Sequence, residues 1–184
     1  FITDLVRPVA TWLYGRRLYE TMAVWETDAN LAAQSERMAD FARVWQAGDK
    51  IVYSTTLSAV STARSRLERN FDPDSVREMK RSGSGHLTVG GANLAAHAFK
   101  AGLVDECHLF IHPVLVGGGK PGLPKDVRIK LELMDERRFA NGTLHLPDGS
   151  KVAPAAPPPQ EQPALGLAAL ALGLAGAAAV ARRR

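Results

Sequence analysis

Three short segments carry the residue types that a phosphate-bearing ligand needs. Gly90-Gly91-Ala92-Asn93 follows the apolar run Leu87-Thr88-Val89, Gly15-Arg16-Arg17 follows Val9–Tyr14, and Ser54-Thr55-Thr56 follows Lys50–Tyr53. Paired glycines let backbone approach a ligand closely. A helix opening just after them aims its unsatisfied N–H groups and positive dipole end at an anion. Arg16 and Arg17 offer charge-assisted, bidentate hydrogen bonds to a ribose 2′-phosphate, with Ser54, Thr55 and Thr56 as hydroxyl donors to the same group. Two cations beside a phosphate pocket favour NADP over NAD. Any one segment alone reads as an ordinary turn with solvated side chains; three together point to a dinucleotide.

These segments act together only if each ends a strand of one parallel sheet, where ligands of open α/β folds bind. The apolar patterning predicts strands over Val9–Tyr14, Lys50–Ser54 and Leu87–Val89. A helix is expected from Arg17 to about Trp25. A second, capped by Asp28 or Asn30, carries Leu31, Met38, Phe41, Ala42 and Trp45 and closes at Gly48. Asp72-Pro73-Asp74 reads as an N-cap with proline in the first turn, opening a helix to about Lys80. Gly91–Ala101 is helical with Gly102 as C-cap, Asp105–Val116 a long strand, and Arg128–Arg138 another. Asn141-Gly142 is a hairpin signal leading into Thr143–Leu146. Strands spaced by helices early and consecutive strands late predict an α/β sheet, parallel first and antiparallel at its C-terminal edge.

The 184 residues suffice for one ordinary domain, expected over residues 1–146. Residues 147–163 read as a Pro/Ala-rich linker that will not pack, and residues 164–184 as an Ala/Leu/Gly tail ending in three arginines. The lone cysteine, Cys107, excludes an internal disulfide framework and fits a reducing cytoplasm, as a small buried hydrophobe within an alternating strand. The formal net charge is +4, but three of the 23 Lys and Arg residues are Arg182–Arg184, and no basic cluster interleaves with aromatics. Nucleic acid is therefore not an expected partner; a small phosphorylated molecule is. The chain opens at Phe1 without an initiator Met, so its start is expected to lie partway into a longer gene product. Ala164–Ala181 comprises 18 residues, roughly 27 Å as a helix and marginally enough for a bilayer. It reads either as a membrane or sorting tail or as a low-complexity extension or shifted reading frame.

Other groups are set aside on geometry. Asp105 and Glu106 are adjacent in a strand, face opposite sides and form no acid–base dyad. His86, His97, His108, His112 and His145 lack metal-ligand spacing, so no metal is expected. Gly117-Gly118-Gly119-Lys120 is followed by Pro121 and lacks the P-loop frame. Trp12, Trp25 and Trp45 read as core. No residue is identified by spacing as the catalytic acid.

LYGRRLYETM, KIVYSTTL, VGGANLAAHAFKAGLVDECHLFIHPVLVGGGKP and LELMDERRFANGTLHL resemble the dihydrofolate reductase-like family. In particular they look like the reductase half of the riboflavin-pathway bifunctional deaminase-reductase (the RibD C-terminal type) and its stand-alone bacterial relatives. The resemblance spans Val9–Leu146. It implies a three-layer α/β/α fold around a mixed sheet, mostly parallel with antiparallel C-terminal strands. It implies NADPH as cofactor, contacted by Gly15, Arg16, Arg17, Ser54, Thr55, Gly90, Gly91, Ala92, Asn93 and Leu94, with a cis peptide at Gly90–Gly91. Asp105, Gly118 and Gly119 would lie near substrate. The implied reaction is hydride transfer to a pterin- or pyrimidine-like molecule, as in 5-amino-6-(5-phosphoribosylamino)uracil reductase, by a protein whose relatives are often homodimers.

The family's first strand and substrate-facing loop, which in dihydrofolate reductases supplies the substrate-anchoring carboxylate, have no counterpart here. The sheet is thus expected to be truncated at its N-terminus, to lack a central member, and to end its last strand at Pro147. A non-catalytic nucleotide-binding module, held to a membrane through residues 164–181, is the alternative reading.

Overall fold

The computed structural model describes residues 1–125, 127–150, 168–169 and 176–180. Helix α1 (Ile2–Val6) leads into β1 (Val9–Gly15), which pairs in parallel with β2 (Asp49–Tyr53) on one side and β4 (His86–Gly90) on the other. β3 (Ser65–Glu68) extends the parallel set beyond β2. β5 (Glu106–Ile111) pairs antiparallel with β8 (Leu144–Ser150), which also takes β6 (Leu131–Leu133) and β7 (Arg137–Arg138). Between β4 and β5 runs β10 (Gly176–Val180), antiparallel to both, with the two-residue β9 (Ala168–Ala169) beside it.

Helices cover both faces because alternate residues of each strand point to opposite sides. From β1, Trp12 and Tyr14 face α2 (Arg16–Met22) and α5 (Glu36–Ala47), packing with Val6, Tyr19, Met22, Phe41, Trp45 and Val52. Leu13 faces the other way. With Ile51, Leu87 and Val89 it packs against Val76 of α6 (Pro73–Ser82) and Leu94, Ala95, Ala98 and Phe99 of α7 (Ala92–Lys100). Three layers, α/β/α, result. Cys107 lies buried in the second core, where desolvation pushes its thiol up to about 12.

Several elements differ from expectation. The helical stretch after Arg16 breaks into α2 and α3 (Val24–Thr27). Asp28 caps only the short α4 (Ala29–Ala33), and a second cap at Ser35, accepting from the Met38 N–H, starts α5. β5 stops at Ile111, five residues short, because Pro113 follows; Val114–Val116 lie exposed. Only two short strands form within Arg128–Arg138. β8 does not end at Pro147 but runs through it to Ser150. Pro147 sits opposite His108, and its carbonyl accepts from the Met134 N–H at 2.9 Å.

The central gap is not open either: β10 fills it and pairs with the inner edges of both β4 and β5. Within the tail, residues 168–169 and 176–180 are thus strand rather than membrane helix. Among the described residues no helix is long and apolar enough to cross a membrane. Residues 151–167, expected to be mostly linker, lie outside those described.

Candidate functional site

The glycine-bearing ends of β1 and β4 meet at one edge of the sheet. Tyr14 pairs with Gly90 and Gly15 with Tyr53, so Gly15, Ser54 and Gly90 stand side by side. Gly91 has φ +97° and ψ 120°, a conformation open to glycine and strained for other residues. A side-chain carbon built on it would stand 3.6 Å from the Gly15 nitrogen, so any residue but glycine would fill the space between the two turns. No side chain caps the start of α7 at Gly91 or of α2 at Gly15. The first N–H groups of α7, from Ala92, Asn93 and Leu94, therefore open onto this edge without a side-chain partner at the cap. Leu94 itself is buried, its Cβ 3.9 Å from where a Gly15 side chain would begin, while Asn93 is exposed. Among the described residues there is no cis peptide, so the expected cis Gly90–Gly91 bond is corrected: the unusual geometry lies in the φ of Gly91.

Arg16 and Arg17 both lie exposed at this edge. The Arg16 guanidinium donates to Glu20 Oε1 at 2.7 Å and to Thr56 Oγ1 at 3.0 Å, which aligns it across the mouth of the β2 loop. Ser54 is tied into its own loop. Its Oγ accepts from the N–H groups of Thr56 (3.2 Å) and Leu57 (3.0 Å), so it braces its own loop, leaving Thr55 and Thr56 at the surface. Arg69, which no spacing singled out, donates to the Ser54 and Leu57 carbonyls at 3.0 and 2.7 Å and closes that loop from behind.

Of the three residues expected near substrate, Asp105 does not join them. β5 is parallel to β4, since both run antiparallel to β10, so Asp105 lies at the opposite, N-terminal edge. There Lys80 Nζ donates to its carboxylate at 3.0 Å and to the Leu103 carbonyl at 3.0 Å. Burial outweighs that cation and pushes Asp105 up to about 7. Gly118 and Gly119 sit in an exposed loop with nothing within 4 Å of an added side chain.

A second polar cluster went unread in the sequence. On the α1 face, His108 Nδ1 and His145 Nε2 share a hydrogen bond of 2.9 Å, with rings parallel to within 5°, and Glu106 Oε2 lies 3.5 Å from His108 Nε2. All three are buried and line a cavity of about 480 Å³ whose other walls include Phe1, Asp4 and Arg137. The alternation of Glu106, His108 and Phe110 was legible; that His145 faces them depends on the β5–β8 register. Nearer the glycine edge, His112 Nδ1 lies 3.0 Å from Thr143 Oγ1. Among the described residues no cluster of three or more His, Cys, Asp or Glu side chains has metal-holding geometry.

The family model described as RibD C-terminal domain matches residues 9–145. A Bacillus subtilis (strain 168) protein described as uncharacterized protein YyaP is 29% identical over 146 residues, covering 78% of this chain and 76% of that protein. A putative riboflavin biosynthesis protein from Shewanella sp. PV-4 superposes with a TM-score of 0.62 at 16% identity, over 80% of this chain and 77% of that one. A pyrimidine reductase-like protein from Corynebacterium diphtheriae NCTC gives 0.50 at 12% identity, over 81% and 79%. At these identities the two structures speak to the fold.

Proposed function

Since this chain belongs to the RibD C-terminal domain family, we propose that it is an NADPH-dependent reductase acting on a pyrimidine- or pterin-like substrate. The observation that carries the reading is the junction of Gly15 with Gly90–Gly91. A helix start without a side-chain cap and a cradle that any side-chain carbon would fill suit a pyrophosphate approaching backbone donors. Bound there, the cofactor would supply hydride for a C=N or C=O carbon. The N–H groups of Ala92, Asn93 and Leu94 would hold its phosphates, and Arg16, set by Glu20 and Thr56, would meet a ribose 2′-phosphate together with Arg17. The substrate class follows the family and the printed descriptions of the two solved relatives, a riboflavin biosynthesis protein and a pyrimidine reductase-like protein. The aminouracil 5-amino-6-(5-phosphoribosylamino)uracil is accordingly the first substrate to test.

One observation favours the alternative of a binding module. Asp105 lies at the opposite edge of the sheet, held by Lys80, so that position offers nothing to a substrate at the glycine edge. Titration of the purified chain with NADPH and NADH, followed by turnover of the aminouracil, separates the two readings. Arg16→Ala combined with Arg17→Ala is expected to weaken NADPH ten- to a hundredfold, about 1.4–2.8 kcal/mol, while changing NADH less than threefold. Equal losses for both cofactors would refute the 2′-phosphate role. Binding without turnover would favour the module.

A further inference from the structure

The reductase reading leaves a proton unassigned. Adding hydride to a C=N or C=O carbon delivers two electrons and one nucleus to carbon, and the heteroatom must take a proton from elsewhere. His112 is a titratable side chain just past the correct end of β5. It follows Ile111, the last residue of β5, and so stands at the same sheet edge as Gly15 and Gly90–Gly91. In register, Phe110 pairs with Gly176 of β10 and Val89 pairs with Ala179, which puts Phe110 at the level of the first turn of α7. His112 lies one repeat further out, two strand spacings across, or about 10 Å sideways from the glycine turn. That separation leaves room for a planar ring between them.

The local structure holds this imidazole more firmly than a surface histidine requires. Its Nδ1 contacts the hydroxyl of Thr143, which is 4% exposed and stands across the β5–β8 ladder. Thr143 is itself fixed: its N–H donates to Asn141 Oδ1 at 3.1 Å, and its carbonyl accepts from the Phe139 N–H at 2.9 Å. The β7–β8 turn closes over the next residue, Pro113. Gly142 has φ +84°, and a side chain there would press to 3.2 Å from Pro113 Cγ. On the other side of Pro113, the Val114 N–H donates back to the His112 carbonyl at 2.8 Å, closing a γ-turn. Backbone and ring are thus pinned from both sides, yet the residue stays exposed, and Nδ1 rather than Nε2 makes the Thr143 contact.

We propose that His112 hands the proton to the substrate heteroatom, with Thr143 as the residue that positions it. The inference rests on the reductase reading and adds to it the acid. In the step, hydride forms the new C–H bond as the reduced nicotinamide becomes oxidised, and the C=N or C=O π bond breaks toward the heteroatom. Nε2–H of the imidazolium gives its proton to that atom. The ring is left neutral with its proton on Nδ1, donating to Thr143 Oγ1, and solvent returns the Nε2 proton.

The test uses the full chain, NADPH and the aminouracil named above. His112→Gln is expected to lower kcat a hundredfold or more, in the range of general-acid catalysis, with NADPH Kd and Tm unchanged within twofold and 2 °C. Thr143→Val is expected to lower kcat at least tenfold with KM little moved, and Thr143→Ser to restore it. Independently of turnover, the ¹⁵N resonance of His112 Nε2 should shift when the aminouracil is added to the NADP⁺-bound chain. A parent chain that turns over while His112→Gln keeps kcat within threefold overturns the assignment of the acid and leaves the reductase reading standing. An unmoved Nε2 resonance on saturation with the aminouracil also overturns it. A parent that neither binds NADPH nor reduces the aminouracil overturns both.

Discussion

At His145, burial comes first among the influences that push the imidazole down to about 4, with the neighbouring His108 ring and Arg137 adding and Asp135 opposing. The unfolded chain would titrate near the ordinary 6.5, so between about 4 and 6.5 it binds a proton that the folded chain refuses. Stability is therefore full above this window and falls as pH drops through it. His145→Phe keeps an aromatic ring against Phe110 and removes the titration. Urea unfolding from pH 4 to 8 should show the parent losing up to about 1.4 kcal/mol per pH unit more than the variant in that window. Identical slopes would dismiss the account. Residues differ in how openly they announce themselves. Gly15 and Gly91 drew notice in the chain because each follows an apolar strand run and precedes a helix. The His108–His145 pair could not, because two residues far apart in sequence become neighbours only through the β5–β8 register.

Elements were legible where a local rule and the tertiary environment agree. Helix α6 starts where Asp72 and Pro73 say it should, with the Asp72 carboxylate accepting from the N–H groups of Asp74 and Ser75. Helix α7 opens at Gly91 and closes with Gly102 at φ +63°. β3 escaped because Ser65–Glu68 is four residues long and mostly polar, too short for alternation to stand out. β10 escaped because alanine favours helix and only the waiting edges of β4 and β5 make strand the better state. The β4–α7 junction depends on conformation more than on space. Gly91→Ala should cost about 1–3 kcal/mol of stability, since its φ of +97° is strained for alanine, and should weaken NADPH at least tenfold. Gly118→Ala meets nothing within 4 Å and should change neither by a measurable amount. Comparable losses in both, by thermal melts and cofactor titration, would mean that the turn geometry is not what matters.

Over the whole molecule, the sheet holds together through β10. It joins the parallel half, β3-β2-β1-β4, to the antiparallel half built on β5 and β8. A chain ended after Ser150 would leave the facing edges of β4 and β5 without their ladder. Its stability should fall by about 3 kcal/mol or more, roughly 10 °C in Tm, and amide protection at Thr88, Val89 and His108–Phe110 should collapse. Unchanged melting and exchange would show that the halves cohere without it. Order of synthesis adds a consequence of another kind. β8 completes the second half at Ser150 and β10 begins at Gly176, so at about 5–20 residues per second the ribosome exposes both halves about 1–5 seconds before the strand that unites them. During that interval two bare strand edges, with the glycine turn beside one of them, face whatever else is in the cell. The nascent chain is thus a natural client for a holding chaperone, and its yield in a cell should depend on how fast translation reaches residue 180.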